Sequence, residues 1–497
     1  MDAADIAWVL QGTVISSRRD RTLSICPGQL LVVDKRGYIS HLEAATTARS
    51  KAVLSLVEAG QVGRERVVEL GDDGWVLPGF VDTHIHAPQY INSGMALDKP
   101  LMEWLEAYTF KAESRIDRDP HGLGARVYAK LVQRMLENGT TAASVFGTIS
   151  VEANLVLAKA FLKAGLRGQI GKVAMDQHSI PTYLETTSSS LSSTRSFISA
   201  MHELVKPLAL EQQLVEPVVT PRFVPTCSAE LLRGLSDLAR ETGARVQSHM
   251  CESEGMVRVC KDMLDGKSDV EVLDELGLLN DRSLMAHCTH TTAPDLSLLA
   301  RTGTAIASCP LSNVYFSSER QLPLREAWTA GVKVGLGSDI SGGYRVGIDD
   351  NMRWAVGISR MREGQRDVVR VVAPERDGKE EEEGSLAITW QESLFLATLG
   401  GAQALGLDDG ERRVGTLEVG SAFDAQWIAL GDRRSRVDWF DLEGPSVDES
   451  QDGEEGGAGG HKVTLEEKVE KWWSNGSEVD RQAVWVQGRR VYQRDES

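Results

Sequence analysis

The chain has 497 residues, 41% of them hydrophobic and 25% charged, which gives room for a large domain and a smaller one in a soluble globular protein. Its formal charge of −18 makes it a poor binder of polyanions, so neither nucleic acid nor an anionic membrane is an expected partner. The six cysteines (Cys26, Cys227, Cys251, Cys260, Cys288 and Cys309) are scattered and form no C-x-x-C pair, which argues against a disulfide framework and a structural zinc knuckle.

The first residues, MDAADIAWVLQGTVISSRRDR, lack a basic start followed by an apolar core, and no apolar run reaches bilayer length. A cytoplasmic protein is therefore expected. Short β-prone runs follow, at Trp8–Leu10, Gln29–Asp34 and Arg66–Leu70, separated by turn residues. The same texture returns at Gly415–Leu430 and at Val484–Tyr492, where a glycine turn separates two strand-like runs. The two ends are predicted to form one composite β domain, residues 1–75 with 415–497.

Between them the pattern changes to short apolar runs alternating with amphipathic helical stretches. Eight runs read as strands: Val76–Asp82, Thr141–Phe146, Arg167–Ala174, Val215–Thr220, Arg245–Ser248, Ser283–Ala286, Thr304–Ala307 and Val332–Leu336. Helices are predicted around Leu101–Ala112 and Val151–Lys163. This alternation predicts an α/β fold, a (β/α)8 TIM-like barrel over residues 76–414. Two acidic stretches interrupt the pattern. Residues 375–384 hold six acids and two bases, and residues 443–455 six acids and no base, so the two supply ten of the eighteen excess negative charges. The first reads as a solvated loop insertion and the second, extended to 443–460, as a disordered loop.

Metal-ligand side chains sit at the ends of the predicted strands, where such a barrel builds its active site. The first strand ends in Asp82-Thr-His84-Ile-His86, and histidines two apart on an extended chain point to the same side. His249, His287 and Asp339 each follow another strand-like run. A lone strand-end histidine is more often structural. The ordered set carries the reading: imidazoles and a carboxylate suit Zn²⁺, with Fe²⁺ the alternative, and leave a position for water. His290 lies on the loop after His287 and reads as structural.

The string from Pro78 to His86, Pro-Gly-Phe-Val-Asp-Thr-His-Ile-His, resembles the opening signature of the amidohydrolase superfamily. Longer segments are similar to the guanine deaminase family: His84–Tyr90, Pro100–Phe110, Asn138–Thr141, Thr220–Phe223, Ser248–Glu252, Gly337–Tyr344 and Leu399–Gly406. The resemblance runs from about residue 75 to 430. The terminal β segments match only in style, and both acidic stretches are additions. Where the family often has His-Cys-Pro-x-Ser-Asn, this chain has Ser308-Cys309-Pro-Leu-Ser-Asn313.

The resemblance implies one zinc per subunit, held by His84, His86, His249 and Asp339, with His287 beside the metal-bound water as a ligand or hydrogen-bond partner. It implies that zinc-activated hydroxide attacks C2 of guanine, giving xanthine and ammonia. Asp339 would carry the proton from water to the leaving amine, and Glu252 would protonate ring N3. Gln89, in the run His86-Ala87-Pro88-Gln89, would read the N1/O6 side of the base, Arg222 its C6 oxygen, and Phe223 would pack on the ring. His86, His249 and Asp339 would border the substrate as well as the metal. A two-metal site with a carboxylated Lys172 is not favoured, because the family pattern implies one metal. The family usually forms homodimers. Deaminases of flipped nucleotides carry P-C-x-x-C, which is absent here, so a free base and water are the expected reactants. Other aminated or chlorinated heterocycles, or a non-catalytic scaffold, are the competing readings; the filled ligand positions argue against the last.

Overall fold

A computed structural model describes residues 2–317, 320–372, 384–431, 433–441 and 462–495. The acidic stretch 443–460 and all but the last residue of 375–384 lie outside the described residues. Two eight-stranded sheets organise the chain.

The first sheet is built from both ends. Strands β1 (Ile6–Ser17), β2 (Leu23–Asp34) and β3 (Ile39–Ala44) form an antiparallel meander, and β4 (Val67–Glu69) and β5 (Gly74–Pro78) add to β1 in parallel. β5 then pairs with a late strand, with Ala425 opposite Pro78, so the N-terminal and C-terminal segments share one sheet. Leu10, Leu31, Val33, Val76, Phe423 and Trp485 fill the core on one of its faces.

The second sheet holds β6 (Phe80–His86), β7 (Thr140–Phe146), β8 (Arg167–Ala174), β9 (Val215–Pro221), β10 (Arg245–Met250), β11 (Ser283–His287), β12 (Ala305–Ser308) and β13 (Val334–Leu336), all parallel and in sequence order. Each of the eight predicted runs contributes a barrel strand. Most of these strands are buried along their whole length, as expected where helices cover one face and a packed barrel interior the other. The ring is drawn together between β6 and the chain after β13. Asp339 N–H donates to His84 O at 2.8 Å and His86 N–H to Ile340 O at 2.9 Å. The Ser338 hydroxyl donates to Asp82 Oδ2 at 2.5 Å and its N–H to Oδ1 at 2.9 Å.

The run Val76–Asp82, expected as one strand, is two. The break falls at Gly79, whose N–H donates to Asp424 O in the terminal sheet, while Phe80 N–H donates to Gly139 O beside the barrel. A Cβ at Gly79 would lie 2.1 Å from the Thr141 side chain, so the chain changes sheets where only glycine fits. The helix expected around Leu101–Ala112 runs on to Arg118, through a π-helical turn at Leu105–Thr109.

The C-terminal strands are β14 (Ala425–Ala429), β15 (Arg481–Val486) and β16 (Arg489–Gln493). Gln487 and Gly488 turn β15 into β16 with φ of 47° and 70°, the left-handed pair that a tight hairpin favours. The helix Leu399–Leu405 crosses beneath the seam. A Cβ at Gly401 would come 2.8 Å from Val81 Cβ, which gives the glycine pair in that motif a packing reason.

Candidate active site

The site lies at the C-terminal mouth of the barrel. His84 and His86 come from β6, Arg222 follows β9, His249 is in β10, Glu252 follows it, His287 ends β11, and Asp339 follows β13. The chain turns sharply at three of these strand ends: Cys251, His287, Cys288 and Asp339 all have φ between 47° and 69°. Non-glycine residues rarely adopt this region, and such strain concentrates at functional sites.

The donor atoms converge. Asp339 Oδ1 lies 3.2 Å from His84 Nε2 and 3.5 Å from His86 Nε2, and its Oδ2 is 3.9 Å from His287 Nε2. The Nε2 atoms of His86 and His249 are 3.1 Å apart. His249 Nδ1–H donates to Arg222 O at 2.6 Å, and His287 Nδ1–H to Asn313 Oδ1 at 3.0 Å. These bonds fix the tautomers and leave each Nε2 as a lone-pair donor. Burial holds His84, His86 and His249 well below the usual imidazole range, and it lowers His287 despite the Asp339 charge. All four rings are neutral and ready to ligate.

A metal fits this arrangement. His84 Nε2 and His287 Nε2 are buried with no hydrogen-bond partner, a costly state that a cation between them relieves. The ligand atoms of His84, His249 and His287 lie within 4.8 Å of one another, and so do those of His84, Cys309 and Asp339. Burial pushes the Cys309 thiol well above its ordinary value, so nitrogen and carboxylate donors are the stronger set.

Above the donors is a cavity lined by His86, Gln89, Arg222, Phe223, His249, Glu252 and Asp339, with Leu101, Trp104, Leu105, Ser312, Phe316 and Gly342 completing the wall. His84 and His287 lie beneath it. Ala87 and Pro88 are buried in the 3-10 turn that carries Gln89 and do not line the cavity. Lys172 is committed elsewhere, donating to Glu185 Oε2 at 2.7 Å and Val173 O at 3.1 Å.

Glu252 has its Oε1 3.6 Å from His287 Nε2. Burial, with a further push from Asp339, raises its carboxyl to about 8. Its backbone is pinned: Thr289 Oγ1 donates to Glu252 O at 2.8 Å, and the preceding Cys251 N–H donates to Asp269 Oδ2 at 2.7 Å. Asp339 is likewise raised by burial.

The wall residues Leu101, Trp104, Leu105, Ser312, Phe316 and Gly342 were not singled out from the sequence as site residues, and neither was a charged residue behind the pocket. Glu113, wholly buried, accepts from Arg222 Nη1 at 2.8 Å and Nη2 at 3.1 Å, and from Gln89 Nε2 at 2.9 Å. Burial alone would lower the Arg222 guanidinium; the Glu113 carboxylate outweighs it and holds Arg222 above its ordinary value. The available signal was helical spacing, which puts Glu113 on the buried face with Phe110 and Ile116.

The amidohydrolase family profile matches residues 75–491. Guanine deaminase of Dictyostelium discoideum is 37% identical over 448 residues, 89% of this chain and 93% of that protein. The Homo sapiens guanine deaminase is 36% identical over 437 residues, 88% of this chain and 89% of that one. The crystal structure of guanine deaminase from C. acetobutylicum, with guanine bound in its active site, superposes with a TM-score of 0.78 at 26% identity, covering 98% of this chain and all of the other. On these matches and this geometry, the chain belongs to the amidohydrolase family and, within it, to the guanine deaminase family.

Proposed function

We infer that this protein hydrolyses guanine to xanthine and ammonia: water oxygen bonds to C2, and the C2–amine bond breaks. The observation that carries the reading is one cavity in which a donor and acceptor pair for a lactam edge, Gln89 and Arg222, faces a convergent histidine and carboxylate cluster. A family whose members deaminate guanine supports the same reaction.

His84, His86, His249, His287 and Asp339 are the residues that hold the metal. Their nitrogen and oxygen donors suit zinc, one ion per subunit. When bound, the ion supplies Lewis acidity that brings the ionisation of water into the neutral range. The residues of the chain do the rest. Gln89 and Arg222 take the N1/O6 edge, and Phe223 packs against the ring. Glu252, its carboxyl pushed up to about 8 by burial, gives its proton to N3, which makes C2 more electrophilic, and regains one from the C2 hydroxyl as the carbonyl forms and the amine leaves. Asp339 accepts a proton from the attacking water and passes it to the departing amine. Burial of both carboxyls supports these roles, since a general acid needs its proton near the working pH.

A composite terminal sheet domain and a barrel domain, with the change of sheet at Gly79, is the division the topology supports. A homodimer is supported by one exposed helical face. On the helix Ile348–Val372, Trp354, Met361 and Val368 recur every seven residues and are 38%, 62% and 61% exposed, an apolar stripe of the kind that packs against a second helix. Among the described residues no helix is long and apolar enough to cross a membrane, and cytoplasmic residence is the accompanying proposal.

Ammonia release measured on guanine, adenine and a pterin, beside chloride release from a chlorotriazine, tests the reading. Guanine is expected to give the highest kcat/KM by about 100-fold or more, because a site built to bond polar edges rejects analogues that leave those groups unpaired. Preference for another member of the panel would overturn it.

A further inference from the structure

The Gln89 side chain is held at both ends by a hydrogen-bond chain of one direction. Asn92 Nδ2 donates to Ser341 Oγ at 2.8 Å. The Ser341 hydroxyl donates to Gln89 Oε1 at 3.4 Å, and Ser341 N–H donates to the same oxygen at 3.3 Å. At the other end Gln89 Nε2 donates to Glu113 at 2.9 Å. A carboxylate paired with arginine only accepts, so the amide nitrogen must face Glu113 and the amide oxygen must face Ser341.

This matters because a free glutamine is symmetric in shape and opposite in polarity when flipped. The lactam edge of guanine presents a donor at N1 and an acceptor at C6. A 6-aminopurine presents the reverse, an acceptor at N1 and a donor at C6. A glutamine free to rotate serves both. A locked one keeps its second N–H to offer the base from a fixed position, while its oxygen already accepts from the Ser341 N–H and hydroxyl. The same Glu113 also holds Arg222 through both Nη atoms, presenting a pure donor where a 6-amino group would bring another donor.

We propose that Glu113 is a specificity-determining positioning residue: by fixing the polarity of Gln89 and the fork of Arg222, it makes the pocket accept 6-oxopurines and reject 6-aminopurines. It touches neither the reacting carbon nor the metal ligands, and it acts through the two side chains that meet the base. The proposal rests on the guanine reading above.

The test is calorimetric binding of hypoxanthine and adenine, neither of which carries the 2-amino group, alongside guanine turnover by the unaltered protein. The unaltered protein is expected to bind hypoxanthine about 100-fold tighter than adenine or better. Glu113→Gln keeps the shape but can itself flip, and it is expected to narrow that ratio by about tenfold or more. A merely structural role would weaken both ligands by the same factor and leave the ratio unchanged, and that result overturns the proposal. Should Glu113→Gln fail to fold around an unpaired Arg222, the double variant Glu113→Gln with Arg222→Met is compared with Arg222→Met alone. A further fall in the ratio supports the lock, and an equal ratio overturns it. If guanine turns over but the unaltered protein binds both ligands equally, the lock fails and the function stands. If guanine does not turn over, the functional reading itself fails, whatever the ratio.

Discussion

Glu252 carries the sharpest expectation among single residues. Burial and the nearby Asp339 favour its protonated form against the opposing charge of Arg222, it lies close to His287, and its backbone is pinned by Thr289. Glu252→Gln keeps the volume and the hydrogen bonds to Glu252 O but removes the transferable proton. The expected outcome is a loss of about 10²–10⁴ in kcat, the usual contribution of a general acid, with a small change in KM and an unchanged melting temperature. Steady-state kinetics beside a thermal melt check it; near-normal kcat would remove Glu252 from proton transfer. At this scale the sequence was informative where a residue belongs to a local motif, as with His84, His86, His249 and Glu252. It was silent on Glu113, because the partner Arg222 lies 109 positions away and nothing local demands an acid there. It also counted Ala87 and Pro88 with the pocket, since adjacency to Gln89 in sequence does not reveal which way a 3-10 turn faces.

Among elements, the helix Phe110–Arg118 carries one buried and one half-buried acid into its docking surface. It brings Glu113 into the site and Asp117 against Thr148 and the Lys172–Glu185 pair. Burial raises the Asp117 carboxyl from 3.8 to about 7, and its Oδ1 has no hydrogen-bond partner. The native state therefore keeps a proton that the unfolded chain gives up from about pH 4. Stability contributed by this group is present at low pH, falls as pH rises through the window from about 4 to 7, and levels off above it. Asp117→Asn, neutral at every pH, is expected to melt higher than the unaltered protein at pH 8 and to show a flatter decline between pH 5 and 8. Thermal melts across that range decide it, and an unchanged slope would contradict the assignment. The strands were legible as elements because each is a short apolar run bounded by helical pattern. The break at Gly79 was signalled only by the Pro78-Gly79 pair between two β-prone stretches, and what fixes it is the Thr141 side chain of another strand.

Across the whole molecule, the first sheet takes strands from both ends of the chain and the barrel lies between them in sequence. That arrangement could be read from the return of β texture near the C-terminus, and the eight parallel strands from their alternation with helices. The seam could not, since residues 82 and 338 meet only in the closed ring. At this scale the prediction concerns assembly. Met361→Glu places a charge in the exposed stripe of Trp354, Met361 and Val368. Sedimentation is expected to show a dimer for the unaltered chain and a monomer for the variant, and a dimer that survives the substitution would move the interface elsewhere.

The central claim is that a metal-loaded barrel mouth turns guanine into xanthine. It is tested most directly by following that conversion in the ultraviolet with purified protein, before and after chelation, with the metal content measured in both. The account predicts steady formation of xanthine, its loss on removal of the metal, and its return when zinc is restored. Conversion that persists in metal-free protein, or metal-loaded protein that leaves guanine unchanged, would contradict it.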